Sequence, residues 1–450
     1  MNGRYIFKRK VYQQLLKWKK HNGTYAALLE GARRVGKSTL AKSFAENEYK
    51  SYILLDFSNL NIPLNIFDEL SNLDFFFRRL QAETNIKLYN RESLIIFDEV
   101  QLFPKARQAI KHLVADGRYD YLETGSLISI RKNVKDILIP SEEIKIKMYP
   151  MDFEEFLWAT DNDVTLETIQ DIYTNNRSFG DSINNKLMKS FRTYMAVGGM
   201  PQAVYAYKEG KNFDDIDLIK RGIISLYEDD FSKIDDSGRI GKIFNSIPAQ
   251  LASGSKRFVI SKATQKKKTS KDEELFFELI NSRTVLPCFN VSDPSVSLKQ
   301  TSQIDNFKLY LCDVGLFVTM MFNDSEKSNL DIYAKLLRNK LDANLGYLYE
   351  NAMAQLLSSE GYELYYHTWN KKNSTHLYEI DFLIRNNNKI IPIEVKSGYT
   401  KSHISMDEFC KIYSNKIGDR YLFSGHDISH DGMLKILPMY LAPFIFKNGQ

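Results

Sequence analysis

The length and composition of the chain exclude several classes of protein. Its 450 residues are more than one hydrophobic core normally holds, so roughly three domains are expected. Hydrophobic residues make up 43% and charged residues 26% of the sequence, which is typical of globular proteins and not of disordered or collagen-like chains. The net charge of +5 is small beside 61 basic and 56 acidic side chains, so total charge does not indicate a nucleic-acid partner.

Cysteine usage and the first residues bear on the compartment. The three cysteines, Cys288, Cys312 and Cys410, form no CxxC pair and have no spacing suited to zinc or to a disulfide framework. The segment MNGRYIFKRK is charged from its start, and no apolar run reaches the roughly 18 residues that a membrane-spanning helix needs. We therefore expect a cytoplasmic protein with no membrane-spanning segment.

Residues 1 to about 145 alternate short apolar runs with longer segments of helical spacing. This pattern is typical of an α/β fold with a parallel sheet whose strands are buried on both faces. We expect this first domain to cover residues 1–158. The predicted strands are Tyr25–Glu30, Tyr52–Phe57, Leu94–Asp98 and Tyr119–Thr124.

The first predicted strand leads directly into a loop of the pattern GxxxxGK[ST], and a helical segment follows it. Glycine is needed at both ends of the loop because successive backbone N–H groups must curl closely around phosphate oxygens. Lys37 is expected to reach the β- and γ-phosphates of ATP, and the Ser38 hydroxyl is expected to ligate Mg²⁺. The predicted ATP-binding residues are Gly31, Ala32, Arg33, Arg34, Val35, Gly36, Lys37, Ser38 and Thr39.

Two carboxylates, Asp98 and Glu99, end the apolar run that begins at Ser93. Behind a P-loop, this pattern predicts that Asp98 holds Mg²⁺ and that Glu99 orients or deprotonates the attacking water. The next predicted strand ends in polar residues, and Thr124 or Ser126 is a candidate sensor of the γ-phosphate or of that water. For these two side chains, a simple polar end to the strand is the alternative interpretation.

The rest of the chain predicts three further regions. Residues 159–242 consist of long amphipathic segments and are interpreted as a helical, lid-like region. Residues 243–332 combine short helical segments with a β-like run, which suits a small winged-helix-like module. Residues 333–450 begin with one long predicted helix beyond about Leu336 and continue with strands, so they predict a separate α/β domain. Its predicted strands are Glu363–Trp369, Leu377–Ile384 and Lys389–Lys396.

The C-terminal domain contains a second candidate site. Glu394 and Lys396 share one face of a predicted strand, and Asp381 lies on its partner strand. Converging carboxylates bind a divalent cation that activates water at a phosphodiester, and a nearby lysine then holds the nucleophile or the transition state. Glu350 lies on the apolar side of the preceding helix and needs a partner or a metal. The alternative interpretation is an ordinary charged hairpin.

A basic segment lies within the predicted winged-helix-like module. Seven basic residues and no acidic residue occur between positions 256 and 271, which would attract the phosphate backbone of DNA. A solvated basic surface is the alternative interpretation. The residues are Lys256, Arg257, Lys262, Lys266, Lys267, Lys268 and Lys271.

Three further motifs, at Tyr149–Leu157, Val197–Ala203 and Tyr310–Leu316, follow the P-loop in order. With them the chain resembles the prokaryotic AAA-type ATPases (AAA_14-like) that carry a C-terminal DUF4143 region. The resemblance implies an AAA-like ATPase domain that uses ATP and Mg²⁺. It also implies a C-terminal domain similar to PD-(D/E)XK nucleases, with a second Mg²⁺ or Mn²⁺.

The chain departs from these relatives just before the motif that begins at Tyr149. Members commonly carry an arginine-bearing Gly-Arg segment there, whereas this chain has Ile139-Pro140-Ser141-Glu142-Glu143. The arginine finger is therefore unassigned, and Arg118 and Arg131 are only candidates. Because such a finger can be worth roughly 10³ to 10⁵ in rate, its absence would mean slow hydrolysis.

Two hypotheses stay open at this point. In the first, the chain is an ATP-driven enzyme or switch coupled to a C-terminal domain that binds or cleaves DNA. In the second, it is a nucleotide-regulated binding module of a toxin–antitoxin or defence-type system, in which ATP is held but scarcely turned over. A homo-oligomer or a partner protein is compatible with both hypotheses.

Overall fold

In a computed structural model, the chain divides into two compact units. The first unit contains residues 1–149 together with 277–283, and the second contains residues 150–276 together with 284–449. The structure describes residues 6–59, 64–127, 139–265, 270–322, 330–340, 346–371, 374–398 and 403–447.

The first unit is built on a sheet of five strands in the order β2-β3-β4-β1-β5, and all neighbouring strands run parallel. The predicted parallel α/β sheet is therefore confirmed, and β5 is an additional strand that the sequence pattern did not indicate. Its strands are β1 (Ala26–Glu30), β2 (Ser51–Asp56), β3 (Ser93–Asp98), β4 (Asp120–Gly125) and β5 (Glu143–Lys147); its helices are α1 (Val11–Lys19), α2 (Lys37–Glu48), α3 (Leu73–Thr84) and α4 (Pro104–Asp116), with 3-10 turns at Leu64–Glu69 and Val100–Leu102.

The central strands explain why the polar residues gather at one edge. Every residue of β1, β3 and β4 is buried, as expected of strands covered on both faces. Aromatic rings pack on one face of the sheet, where Phe67 and Phe97 have their ring centroids 5.8 Å apart. Because all five strands run in the same direction, the segments that follow β1, β3 and β4 emerge together at the carboxyl edge of the sheet.

The second unit begins with helices, and residues 150–252 contain no strand. Among the described residues, no helix has both the length and the apolar character needed to span a bilayer. The helices are α5 (Phe153–Ala159), α6 (Asp163–Asn175), α7 (Asp181–Val197), α8 (Pro201–Lys208), α9 (Phe213–Ile234), α10 (Arg239–Asn245), α11 (Ile247–Ala252), α12 (Ile260–Thr264), α13 (Ser270–Asn281), α14 (Val314–Met321), α15 (Leu330–Leu337), α16 (Gly346–Ser359), α17 (Ile404–Ile412) and α18 (Ala442–Ile445), with 3-10 turns at Ser414–Lys416 and Met439–Leu441.

The described part of the second unit also contains a mixed sheet of eight strands in the order β12-β13-β11-β10-β9-β8-β6-β7. Strands β8 to β10 form an antiparallel meander, and β10 then pairs in parallel with β11 after the crossover through α17. The strands are β6 (Val285–Val291), β7 (Ser302–Leu311), β8 (Leu364–Asn370), β9 (Leu377–Asn386), β10 (Lys389–Val395), β11 (Arg420–Ser424), β12 (Ser429–Asp431) and β13 (Leu434–Pro438).

The β6–β7 hairpin differs from its predicted place in a winged-helix-like module that ends at residue 332. Strand β6 pairs in parallel with β8, with Cys288 opposite Leu364, so the hairpin joins the sheet of the predicted C-terminal domain. This pairing satisfies buried backbone N–H and C=O groups between segments far apart in sequence, which a local pattern does not reveal. The one long helix predicted beyond Leu336 is also not observed, since α15 ends at Leu337 and α16 begins at Gly346.

Candidate functional site

The loop after β1 has the backbone shape of a phosphate cradle. Gly36 has φ of 99° and Arg34 has φ of 69°, so the chain curls through left-handed conformations before α2 begins. At Gly31, an added Cβ would lie 2.1 Å from the carbonyl oxygen of Met148, which excludes any other residue. The loop therefore presents backbone N–H groups and the N-terminus of α2 at the carboxyl edge of the sheet.

Lys37 lies buried against the loop that it follows. Its Nζ donates hydrogen bonds to the carbonyl oxygens of Gly31 and Ala32, both at 2.9 Å. Burial lowers the pKa of Lys37 to about 8, while the negative charges of Glu99 and Asp98 act in the opposite direction. The ammonium group is thus placed beside the loop, where an anion can draw it away from the two carbonyl groups.

Asp98, at the end of β3, brings three predicted residues together. The Ser38 hydroxyl donates to Asp98 Oδ1 at 2.8 Å, and the Thr124 hydroxyl, at the end of β4, donates to the same oxygen. A carboxylate beside the P-loop serine suits a Mg²⁺ ion, because hydroxyl and carboxylate oxygens are its usual protein ligands. Ser126 is buried just beyond β4.

Glu99 occupies the turn directly after β3. Its φ of 54° is unusual for a residue that is not glycine, and the turn leads into the short helix at Val100–Leu102. The side-chain amide of Gln101 donates to Glu99 Oε2. Among the charged side chains around Lys37, Glu99 raises the pKa of Lys37 the most, followed by Asp98.

Two arginines near the P-loop were not identified from the sequence. Arg9 is buried and donates to the carbonyl oxygens of Val35, at 2.9 Å, and Tyr149, at 2.6 Å. Arg283 forms an ion pair of 2.7 Å with Glu30, which immediately precedes the loop. Arg9 stands in the charged segment Lys8–Lys10, which resembles a solvated surface, so no local signal distinguishes it.

Of the two arginine-finger candidates, the structure describes Arg118 and does not describe Arg131. Arg118 is engaged by Asp116 at 2.7 Å and by Asp74 at 2.6 Å. The hydrogen bond to Asp116 has the largest effect and raises the pKa of Arg118, and the bond to Asp74 adds to this. Burial acts in the opposite direction and lowers the pKa. Arg131 lies outside the described residues.

In the second unit, the strands bring Asp381, Glu394 and Lys396 together. Ile393 on β10 is opposite Phe382 on β9, and the two strands are antiparallel. Glu394, which follows Ile393, therefore lies beside Asp381, which precedes Phe382. The Val395 N–H donates to Asp381 Oδ2 at 2.8 Å, and Lys396 Nζ is 3.1 Å from Glu394 Oε2. Burial and the charge of Glu350 raise the pKa of Asp381 to about 7.

Glu350, on α16, has partners that were not predicted. Its Oε2 accepts a hydrogen bond from the Tyr310 hydroxyl at 2.9 Å and lies 3.2 Å from Lys308 Nζ. Lys308 is buried on β7, and its Nζ also lies 2.7 Å from Glu379 Oε1. The other carboxylate oxygen of Glu379, Oε2, pairs with Lys256 Nζ. No local pattern indicates Lys308, because this residue is 42 positions from Glu350 and 71 positions from Glu379.

The residues around Glu394 include carboxylates that could hold a divalent metal ion. Glu394 is only 2% exposed, and its Oε1 is buried with no hydrogen-bond partner among the described residues. An unsatisfied carboxylate oxygen beside Asp381 fits one divalent cation. No group of three or more His, Cys, Asp and Glu side chains in the described ranges has an arrangement that could hold a metal. Glu350 is the third predicted carboxylate, and it is engaged by Lys308 and Tyr310.

The basic segment of the predicted winged-helix-like module is only partly described. Lys256 forms an ion pair of 3.0 Å with Glu379, and Lys262 lies on α12. Lys266, Lys267, Lys268 and the side chain of Lys271 lie outside the described residues. The described basic residues thus do not by themselves define a DNA-binding surface.

Parallel strands in the order β2-β3-β4-β1-β5, a P-loop after β1 and Asp98-Glu99 after β3 define a P-loop nucleotide-binding domain. Comparison with family models gives the more specific class. An AAA domain model (AAA_14) matches residues 24–157, and a domain of unknown function, DUF4143, matches residues 345–441. The chain therefore contains an AAA-type P-loop domain and, near its C-terminal end, a DUF4143 domain. A further domain of unknown function, DUF8612, matches residues 188–327.

Solved structures with detectable similarity have low sequence identity to this chain. Caenorhabditis elegans PCH-2 is 12% identical, with a TM-score of 0.28 over 62% of this chain and 69% of its own. Cdc6p from Pyrobaculum aerophilum is 12% identical, with a TM-score of 0.26 over 76% of this chain and 97% of its own. A DNA replication initiation factor is also 12% identical, with a TM-score of 0.23 over 63% and 96% of the two chains. The search of curated proteins found no match.

Proposed function

We propose that this chain binds ATP with Mg²⁺ at its P-loop, hydrolyses the nucleotide, and uses the nucleotide state to control its C-terminal domain. The observation that carries the proposal is the shared hydrogen bonding of Ser38 and Thr124 to Asp98, beside the Lys37 ammonium group. This set of a lysine, a serine hydroxyl and an aspartate is what positions a triphosphate in P-loop proteins.

Each residue has a role that follows from its chemistry. Backbone N–H groups of the loop bind phosphate oxygens, and Lys37 adds a positive charge beside the β- and γ-phosphates. Ser38 and Asp98 hold Mg²⁺, which withdraws charge from the phosphates when it is bound. Glu99 accepts a proton from the attacking water, and the Thr124 hydroxyl helps to orient that water or the γ-phosphate.

Turnover by this chain is expected to be slow. Arg118 is held by two aspartates and Arg131 lies outside the described residues, so within the described residues neither candidate is available to the transition state. Because the arginine contributes a large part of the rate in related chemistry, a site without one hydrolyses ATP slowly. A module that holds ATP with scarcely any turnover is therefore the competing function.

Replacement of Glu99 by glutamine separates these two functions. The amide cannot take up a proton, so phosphate release should fall by about a hundredfold or more while ATP binding persists. Steady-state phosphate release and calorimetric ATP titration measure the two quantities. Glu83→Gln, at a half-exposed position on α3, is the matched control and should behave as wild type. Wild-type turnover no faster than that of Glu99→Gln would leave only the nucleotide-holding module.

The second proposed activity is binding or cleavage of DNA by the C-terminal domain. It is favoured by the buried, unpartnered Glu394 Oε1 beside Asp381, with the Lys396 ammonium group 3.1 Å from the other oxygen of Glu394. Burial lowers the pKa of Lys396, but the charges of Asp381 and Glu394 outweigh burial and raise this pKa overall. The lysine therefore stays cationic at neutral pH. A cationic Lys396 can stabilise negative charge on a phosphodiester, while Asp381 and Glu394 would hold a divalent cation, which would supply the activation of water.

If this activity is present, Asp381→Ala should abolish cleavage of plasmid DNA in the presence of Mg²⁺ or Mn²⁺, because the ion would lose one of its two carboxylates. Gel electrophoresis of supercoiled and linear DNA measures the cuts. Asp419→Ala is the matched control, since Asp419 is half-exposed and pairs with Lys435 on the surface. Intact DNA after incubation of wild type with either metal would reject cleavage, and a mobility-shift experiment would then test DNA binding alone.

A further inference from the structure

Lys308 is a buried cation among carboxylates. Its side chain is 6% exposed, and its Nζ lies 2.7 Å from Glu379 Oε1 and 3.2 Å from Glu350 Oε2. With two carboxylates in contact, Lys308 is a positive charge whose position is fixed from two different elements, α16 and β9.

The same carboxylate that Lys308 contacts is the third acidic group of the C-terminal site. Lys308 bridges Glu350 and Glu379, and Glu379 lies two residues before Asp381 on the same face of β9, so Glu350 lies at the face of the sheet that carries Asp381. A cation there would gain from a third carboxylate, because hard divalent ions take several oxygen ligands. Glu350 Oε2, however, is already shared by Lys308 and the Tyr310 hydroxyl.

We propose that Lys308 is a tethered cation that competes with a divalent metal ion for Glu350 and thereby keeps metal affinity of the C-terminal site low. The inference rests on the proposed divalent-ion site of Asp381 and Glu394, and it is independent of whether DNA is cut. Two effects act in the same direction. Lys308 occupies an oxygen that the ion would use, and its positive charge repels the ion across a buried region of low dielectric constant.

The test is direct measurement of Mn²⁺ binding to the full-length chain by electron paramagnetic resonance, without nucleotide. Lys37→Ala and Asp98→Asn are included in every protein, so that the P-loop does not contribute a metal site. In that background, Lys308→Met should bind Mn²⁺ at least about tenfold more tightly, because one nearby positive charge is removed. Lys299→Met is the matched control, since Lys299 is 80% exposed and 3.9 Å from Glu363.

Further variants identify the cause of a gain in affinity. Lys308→Arg keeps the charge and should retain the weak binding of the background protein. Lys308→Met combined with Glu350→Gln should lose most of the gain, because the released carboxylate is then absent. If Lys308→Met does not fold, Lys308→Gln replaces it in the test. The glutamine amide can still donate hydrogen bonds to Glu350 and Glu379. It should shift affinity in the same direction.

Unchanged or weaker Mn²⁺ binding by folded Lys308→Met or Lys308→Gln would overturn the inference, as would a gain that is undiminished when Glu350→Gln is added. The absence of Mn²⁺ binding by all of these proteins would also overturn it. None of these results affects ATP binding, which is measured separately on the chain with an intact P-loop. A protein that binds Mn²⁺ as expected but leaves DNA intact would support the inference and reject only cleavage.

Discussion

Replacement of Lys37 by alanine is expected to abolish most ATP binding, with affinity lower by about a hundredfold or more. The variant removes the ammonium group that approaches the phosphates, and it also frees the carbonyl groups of Gly31 and Ala32 that this group now contacts. Calorimetric titration with ATP and Mg²⁺ measures the loss. The matched control is Lys42→Ala, at a position on the same helix that is 55% exposed and forms an ion pair of 3.9 Å with Glu46.

The same lysine predicts a pH dependence of ATP affinity. Burial lowers the pKa of Lys37 to about 8, below the ordinary value of about 10.4, so the nucleotide-free protein loses this charge as pH rises above 8. Affinity should therefore be constant below about pH 7 and should fall between pH 8 and 10, with proton uptake on binding. Lys42→Ala should keep this profile and Lys37→Ala should lose it. ATP affinity of Lys37→Ala equal to that of wild type would contradict the proposed site.

Gly199→Ala should destabilise the second unit by about 3 kcal/mol. An added Cβ would lie 2.0 Å from the carbonyl oxygen of Met151 and 2.6 Å from its nitrogen, and backbone atoms cannot rotate away. The glycine is also fixed from the other side, because its N–H donates to the buried carboxylate of Asp313 at 2.6 Å. Urea unfolding followed by fluorescence of Trp158 and Trp369, which both lie in this unit, measures the change.

Gly222→Ala is the control for this substitution. Gly222 lies within α9, and an added Cβ there has no neighbour within 4 Å, so alanine should be neutral or stabilising by up to about 1 kcal/mol. Equal urea midpoints for Gly199→Ala and wild type would show that the contact with Met151 relaxes easily, and the tight packing argued above would then be wrong.

The motifs that carried the family resemblance meet at this point in the structure, although they are far apart in sequence. Met151, Gly199 and Asp313 come from the three motifs, and Gln355 on α16 donates to the Met151 carbonyl oxygen at 3.1 Å. No feature of the three motifs by themselves shows this convergence. Their shared role in the described chain is close backbone packing rather than chemistry.

Sequence reasoning was most effective where chemistry is local. The P-loop is one continuous segment whose glycines, lysine and serine must be adjacent, and the parallel sheet followed from apolar runs of strand length. Arg9 and Lys308 could not be predicted in this way, because each meets its partners through contacts 26 to 140 residues apart for Arg9 and 42 to 71 residues apart for Lys308. Burial of a charged side chain depends on such contacts, and residue type alone does not indicate it.

The pairing of β6 with β8 limits how the C-terminal sheet can be isolated. A fragment that starts at residue 333, where the sequence pattern suggests a boundary, lacks β6 and β7 and would leave the backbone groups of β8 without their neighbour. Such an uncovered strand recruits other chains and promotes aggregation. It would also lack Lys308, and Glu350 and Glu379 would lose their counter-charge. A soluble fragment of this sheet therefore has to begin upstream of Val285.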